Sequence, residues 1–153
     1  NAIQRDGVPY DLISKSLPTV EGAVNDILAQ VVDFSIVFSM NGKDIDTHIV
    51  YDDDRVWSLE LSSGMERFIS SLAIRIGLMN VSNLPQGNFL AIDEGWGTMD
   101  SDNLNSVAQL FQYLKSQFQF TFVVSHIETM RDFVDTLLEI KKIDGSSSVR
   151  FSR

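Results

Sequence analysis

The chain has 153 residues, 44% of them hydrophobic, with 12 Lys and Arg against 21 Asp and Glu, no cysteine and a formal net charge of −9. That length and apolar content suffice for one domain with a real core and exclude a disordered chain, while the missing cysteines exclude a disulfide framework and a Cys-based zinc site. A uniformly acidic surface repels phosphate backbones, so this chain by itself is not the expected DNA grip, and no apolar run reaches transmembrane length or reads as a signal peptide.

The chain opens on Asn1 rather than Met, the expectation for a piece of something longer. Residues 9–15 read as a helical turn opening at Pro9. A longer helix is predicted to follow Pro18, with Val20, Val24, Ile27, Leu28 and Val31 on one face. "FSIVFSM" alternates as a strand, "NGKD" is a hairpin-type turn, and "IDTHIVY" returns as a second strand with His48 facing outward. "DDDR" (52–55) reads as a solvated turn, although three clustered carboxylates can also bind a cation. A short strand follows near Val56 to Leu59.

After "ELSSG" the period becomes helical, with Met65, Phe68, Ile69, Leu72, Ala73, Ile76 and Met79 on one face. "NLPQGN" is a loop, and "FLAID" reads as a short strand buried on both faces. A helix from about Leu104 to Phe118, the strand "FTFVVSH", a short helix in "IETMRDFVD" and the strands "LLEIKKI" and "SSVRFS" complete the chain, with "GSSS" (145–148) as a polar turn between the last two. The order is α/β, an antiparallel pair attached to a mainly parallel sheet flanked by helices.

Three stretches carry chemistry. In "LELSSGMERF", Ser63 and Glu66 have the S-x-x-E spacing of a capping box. The same helix start, with Gly64, offers hydroxyls, free N–H groups and the positive end of a helix dipole to an anion such as phosphate. In "FLAIDEGWGTMD", Asp93 and Glu94 end a strand of the kind beyond whose carboxyl end ligands bind. One carboxylate there can hold Mg²⁺ and its neighbour can orient or deprotonate water, although two acids after an apolar strand also make an ordinary solvated turn. In "FTFVVSH", His126 ends a second such strand, where a lone histidine is more often structural than catalytic.

Order and spacing join the three. "LSSGM" (61–65), "FLAIDE" (89–94), "GTMD" (97–100) and "VVSH" (123–126) resemble, in that order, the signature motif, Walker B motif, D-loop and histidine switch in the C-terminal lobe of an ABC-type ATPase head. "DEGWGTMD" narrows the likeness. Transporter subunits usually follow the Glu with a proline-containing stretch, whereas this run resembles the Asp-Glu-Gly-Phe-Gly-Thr-Leu-Asp of SbcC-type ATPases. Those are the SMC-like subunits of a nuclease–ATPase complex that processes DNA double-strand breaks. "VVSHIETMRD" and the upstream hairpin fit the same branch. Ser63 stands where many relatives have glycine and Met65 where most have Gln or Glu.

The resemblance implies residues 1–30 as the end of a coiled coil entering the head and 31–153 as the C-terminal ATPase lobe. It implies that Asp93 helps hold Mg²⁺, that Glu94 orients and deprotonates the attacking water, and that His126 contacts the γ-phosphate of ATP. Ser62, Ser63, Gly64 and Met65 are implied to reach the ATP of a second head in a homodimer, with Asp100 lining that interface. No G-x-x-x-x-G-K-[ST] loop occurs in these residues, so the Walker A loop is expected on an N-terminal lobe, in the same or a separate chain. This lobe alone is then expected to be inactive. Further implied partners are a metallophosphoesterase nuclease of the SbcD type and DNA, with no membrane. The implied location is cytoplasm or nucleoid in a prokaryotic or viral setting and nucleus in a eukaryotic one. Two other readings stay open: an SMC-type DNA-tethering ATPase without a nuclease, and an ABC transporter nucleotide-binding subunit.

Overall fold

A computed structural model describes residues 7–42, 44–52, 55–83, 85, 87–93, 96 and 104–152. The chain opens with helix α1 (Gly7–Leu28), followed by strands β1 (Ser35–Asn41), β2 (Asp44–Asp52) and β3 (Arg55–Ser58) and a 3-10 turn over Leu59–Leu61. Helix α2 (Gly64–Val81), strand β4 (Phe89–Asp93), helix α3 (Leu104–Gln117) and strand β5 (Phe120–Val124) come next. A 3-10 helix (Glu128–Phe133) and strands β6 (Leu137–Ile143) and β7 (Ser146–Ser152) complete it.

The α/β class expected from the sequence is the class observed. Its strands fall into three separate sheets among the described residues: antiparallel β1–β2–β3, parallel β4–β5, and the antiparallel hairpin β6–β7. The first hairpin is therefore a sheet of its own and not an edge of the parallel pair. One continuous core joins them. Val24, Leu28 and Val31 meet Ile36 and Ile49 of the first sheet, Ile69 and Ile76 of α2, and Val107 and Leu114 of α3.

Two expectations from the sequence are corrected. First, α1 runs unbroken through Pro18 instead of starting after it. Proline deletes one backbone donor inside a helix, but the buried face begins at Val20, and the preceding turns carry exposed Leu12 and Ile13 and so need no close packing at the kink-prone step. Second, "GSSS" is not the last turn. Asp144 (φ 49°) and Gly145 (φ 82°) form it, and Ser146 to Ser148 pair in β7. An Asp-Gly pair with both φ angles positive is the preferred two-residue hairpin. The short helix expected in "IETMRDFVD" is present as a 3-10 helix over Glu128–Phe133, with Met130 buried.

Helix α1 also closes an edge. Asn25 donates from Nδ2 to the Ile36 carbonyl (2.9 Å) and accepts the Ile36 N–H at Oδ1 (2.8 Å), and Glu21 accepts the Phe38 N–H (2.7 Å). These side chains occupy the outer edge of β1 in place of a fourth strand. Helices α1 and α2 touch most closely at Gly77, where an added Cβ would lie 2.7 Å from a Val24 methyl.

Candidate functional site

The start of α2 is built as its spacing implied. Ser63 is the N-cap. Its hydroxyl accepts the Glu66 N–H (3.2 Å), and the Glu66 carboxylate accepts the Ser63 N–H (2.6 Å), a complete capping box. The Ser63 hydroxyl keeps its own hydrogen as a donor. The amides of Gly64 and Met65, in the first helical turn, have no carbonyl one turn earlier in the helix to bond. Donors and dipole thus point out of one helix end.

The side chains of this run divide between inside and outside. Ser62 is 8% exposed, and its hydroxyl reaches the Ser58 carbonyl (3.4 Å). Met65 is 3% exposed and belongs to the core, so it can offer only its backbone N–H outward. Ser63 is the exposed hydroxyl. The carboxylate of this turn is Glu66, one residue beyond Met65. The S-x-x-E spacing was the sequence signal for it.

A second layer supports this turn. The Tyr51 hydroxyl donates to the other oxygen of Glu66 at 2.5 Å. Burial raises the Tyr51 pKa above the ordinary phenol range, and the Glu66 carboxylate raises it further. On Glu66, burial pushes the pKa up, but hydrogen bonds from Tyr51 and Ser63 outweigh it and hold the carboxyl below its usual range. Nothing in the sequence alone pairs residue 51 with residue 66.

Strands β4 and β5 are parallel and in register from Phe89↔Phe120 to Asp93↔Val124. Their carboxyl ends therefore share one edge. Asp93 ends β4 as an exposed carboxylate, and His126, also exposed, lies two residues past Val124. Ser125 is turned back, its hydroxyl accepting the Ile127 N–H (3.1 Å). Glu94 and Asp100 lie outside the described residues, as do Gly97 and Thr98 of the same run. A lone exposed carboxylate suits Mg²⁺, which takes one or two carboxylates and fills its shell with phosphate and water. No group of three metal-ligating side chains occurs among the described residues. Asp52 is ion-paired with Arg55 (2.9 Å), while Asp53 and Asp54 lie outside the described residues. His48 is half-buried and lines a shallow groove with Ser58, Arg67 and Ser71.

Trp96, between the glycines of "GWG", is 1% exposed. Its ring lies 4.6 Å from Phe68 of α2 and stacks on Phe111 of α3 at 5.4 Å, and Phe111 stacks in turn on Phe133 at 5.9 Å. The ring is wedged between α2 and α3.

The expectation that "FLAID" and "FTFVV" are buried on both faces is corrected. Phe89, Phe120, Phe122 and Val124 are 53%, 57%, 42% and 42% exposed, with Phe89 and Phe120 stacked at 5.5 Å. Only the opposite face, with Ile92 at 8%, meets the core. An apolar run of this kind belongs to a parallel sheet covered on both sides, and the described residues cover one.

No family model matches the chain. Protein R555 of Acanthamoeba polyphaga mimivirus is 34% identical over 94% of this chain and 12% of its own length. The SbcC subunit of the SbcCD nuclease from Staphylococcus aureus is 29% identical over 78% of the chain and 12% of its own length. The chain thus spans about an eighth of the curated relatives it matches. An SMC ATPase chain, solved in work on ATP-driven dimerisation and DNA-stimulated activation, superposes with a TM-score of 0.74 at 17% identity, covering 94% of this chain and 89% of that one. An SmcHead bound to the C-winged helix domain of ScpA gives 0.68 at 19% identity, covering 94% and 45%. The SMC head domain of Thermotoga maritima gives 0.62 at 21% identity, covering 95% and 52%. Sequence likeness to SbcC subunits and fold likeness to SMC heads coincide over most of the chain, which has the fold of the C-terminal portion of an SMC-like head.

Proposed function

We propose that this chain is the catalytic-carboxylate lobe of a DNA double-strand-break repair ATPase that dimerises on ATP and controls an associated nuclease. The observation that carries the reading is the shared edge at the carboxyl ends of β4 and β5, where Asp93 and His126 are both exposed. Residues 31–153 form the lobe, and residues 1–30 lead in from a coiled coil. The phosphate-binding loop comes from an N-terminal lobe. The apolar face of β4 and β5 supports this division, because it leaves a hydrophobic surface for that lobe to cover.

Glu94 orients a water molecule and accepts its proton as the water attacks the γ-phosphate. His126 donates to the γ-phosphate oxygens. Asp93 would hold Mg²⁺, which when bound offsets the charge of the β- and γ-phosphates. The start of α2 serves a second head: Ser62, Ser63, Gly64 and Met65 form the surface that meets that head's nucleotide, with the exposed Ser63 hydroxyl and the Gly64 and Met65 amides as its outward donors. Asp100 lines the same two-fold interface. ATP then contacts both heads and favours the closed dimer, and hydrolysis removes that preference. The acidic charge of this lobe leaves the main DNA grip to other parts of the assembly.

In a complete head, Ser63→Arg is expected to preserve ATP binding by the monomer and abolish ATP-dependent dimerisation; dimers that persist would remove this assignment. The isolated chain is expected to show no ATPase, and turnover by clean isolated chain would overturn the half-head reading.

A second reading is an SMC-type DNA-tethering ATPase without a nuclease, favoured by the superposition on SMC heads. Co-purification of the full-length protein with a metallophosphoesterase nuclease of the SbcD type separates the two. Residence in nucleoid, cytoplasm or nucleus follows from the DNA role in either reading.

A further inference from the structure

We propose that Tyr51 is a positioning residue for the nucleotide-facing end of α2, acting through Glu66. The inference rests on the reading that this helix end meets a second head's ATP.

Tyr51 occupies an irregular place in its sheet. Val50 pairs with Val56 and Asp52 with Arg55, so the register of β2 against β3 shifts across Tyr51. A bulged residue lies outside the regular alternation of the strand, and bulges commonly re-aim a side chain beside a site. The ring is then fixed on several sides. It lies 5.5 Å from Phe34, stacks on Trp57 at 5.3 Å, and carries the Arg55 guanidinium 5.3 Å above its centroid. The hydroxyl is thereby delivered to Glu66 Oε1 at 2.5 Å.

The consequence lies in what Glu66 does with its other oxygen. Oε2 accepts the Ser63 N–H at 2.6 Å. A glutamate held only by its own capping box remains free to rotate about its last side-chain bond. Held on both oxygens, it has one orientation. The Ser63 amide is then occupied, and the Ser63 hydroxyl and the Gly64 and Met65 amides are left as the outward donors of the turn. The approach to the turn is tied as well: the Ser62 N–H donates to the Leu59 carbonyl (3.2 Å) and Arg67 Nη1 to the Glu60 carbonyl (3.2 Å). The hydroxyl of a tyrosine in the antiparallel sheet thus sets the aim of donors that belong to a helix.

The test uses a complete head containing this chain. It measures the ATP concentration for half-maximal dimerisation, the ATP affinity of the dilute monomer and the thermal midpoint. Tyr51→Phe keeps the ring and removes the hydroxyl. It is expected to raise the half-maximal ATP concentration for dimerisation by about fivefold or more, with monomer affinity unchanged. Glu66→Ala is expected to do at least as much, and adding Tyr51→Phe to it to change nothing further, because the hydroxyl has then lost its acceptor. Glu66→Gln, whose Oε1 can still accept the Ser63 N–H while its Nε2–H donates to the Tyr51 hydroxyl oxygen, is expected to restore most of the response. Independent, additive effects of Tyr51→Phe and Glu66→Ala would overturn the proposal, as would a Tyr51→Phe shift below about twofold. Should Tyr51→Phe not fold, Glu66→Ala against Glu66→Gln decides by the same criterion. Ser63→Arg separates the two levels. If it leaves dimerisation intact, the reading of the helix end falls; if it abolishes dimerisation while Tyr51→Phe is silent, only the role of Tyr51 falls.

Discussion

At the start of α2, both oxygens of Glu66, the Ser63 amide and the Tyr51 hydroxyl are paired with one another. At the ends of β4 and β5, Asp93 and His126 stand exposed beside a face of half-exposed phenylalanines. The first region is finished within this lobe, its donors pre-aligned for something outside. The second leaves a polar edge and an apolar face open among the described residues, and in the proposed function another lobe covers both. A helix end that greets a separate molecule benefits from rigidity before contact. A catalytic edge assembled from two lobes gains its final geometry only when they join.

The contrast can be broken at several strengths. The largest effect is expected at the unfinished edge. Glu94→Gln in a complete head should retain ATP binding and slow single-turnover hydrolysis by about 10²–10⁴-fold; near-normal turnover would remove Glu94 as the base. Next is the aromatic wedge that ties the two regions together. Trp96→Ala should destabilise the lobe by about 3–5 kcal/mol in denaturant titration, because it empties a fully buried site between α2 and α3. A loss below about 1 kcal/mol would show that Trp96 does not hold α2 against α3.

Gly77→Ala probes the seam between α1 and α2. Overpacking costs about 1–3 kcal/mol, offset by roughly 1 kcal/mol of helix propensity, so a net loss of about 1 kcal/mol is expected by thermal unfolding. A net gain would mean that Val24 and its backbone yield freely.

The smallest effect concerns pH. Glu66 is held below its usual carboxyl range, so its contribution is fully present above the unfolded value of about 4.3 and is lost as pH falls through the lower folded value. From neutral pH to about 5 the thermal midpoint of the unmodified lobe should exceed that of Glu66→Gln by a constant margin, and the margin should narrow only on further acidification. A difference in slope near pH 7 would contradict the direction of that shift.

Much of this was legible in the sequence because the signals were local. The S-x-x-E spacing gave the capping box, and "NGKD" gave a tight turn in which Gly42 has φ 63°. Apolar positions at three- and four-residue intervals placed the buried faces of α1 and α2. The misses came where a distant contact overrode a local rule. Pro18 suggested a helix start, but the packing that fixes α1 begins two residues later. "FLAID" and "FTFVV" read as buried because their composition suits a complete sheet, of which the described residues hold two strands. The Tyr51–Glu66 bond joins residues 15 apart through a strand irregularity that no pattern announces. Ser62 and Ser63 are chemically identical, and only the helix start tells the buried hydroxyl from the exposed one.

The central claim is that one head's α2 start completes the catalytic edge of another. It is tested most directly by mixing complete heads carrying Ser63→Arg with complete heads carrying Glu94→Gln and measuring ATP turnover. Each variant alone should be inactive. The mixture should recover turnover up to roughly a quarter of the unmodified rate, since about half the dimers are mixed and each mixed dimer holds one intact composite site. A mixture as inactive as its components, or full activity in Ser63→Arg alone, would contradict the account.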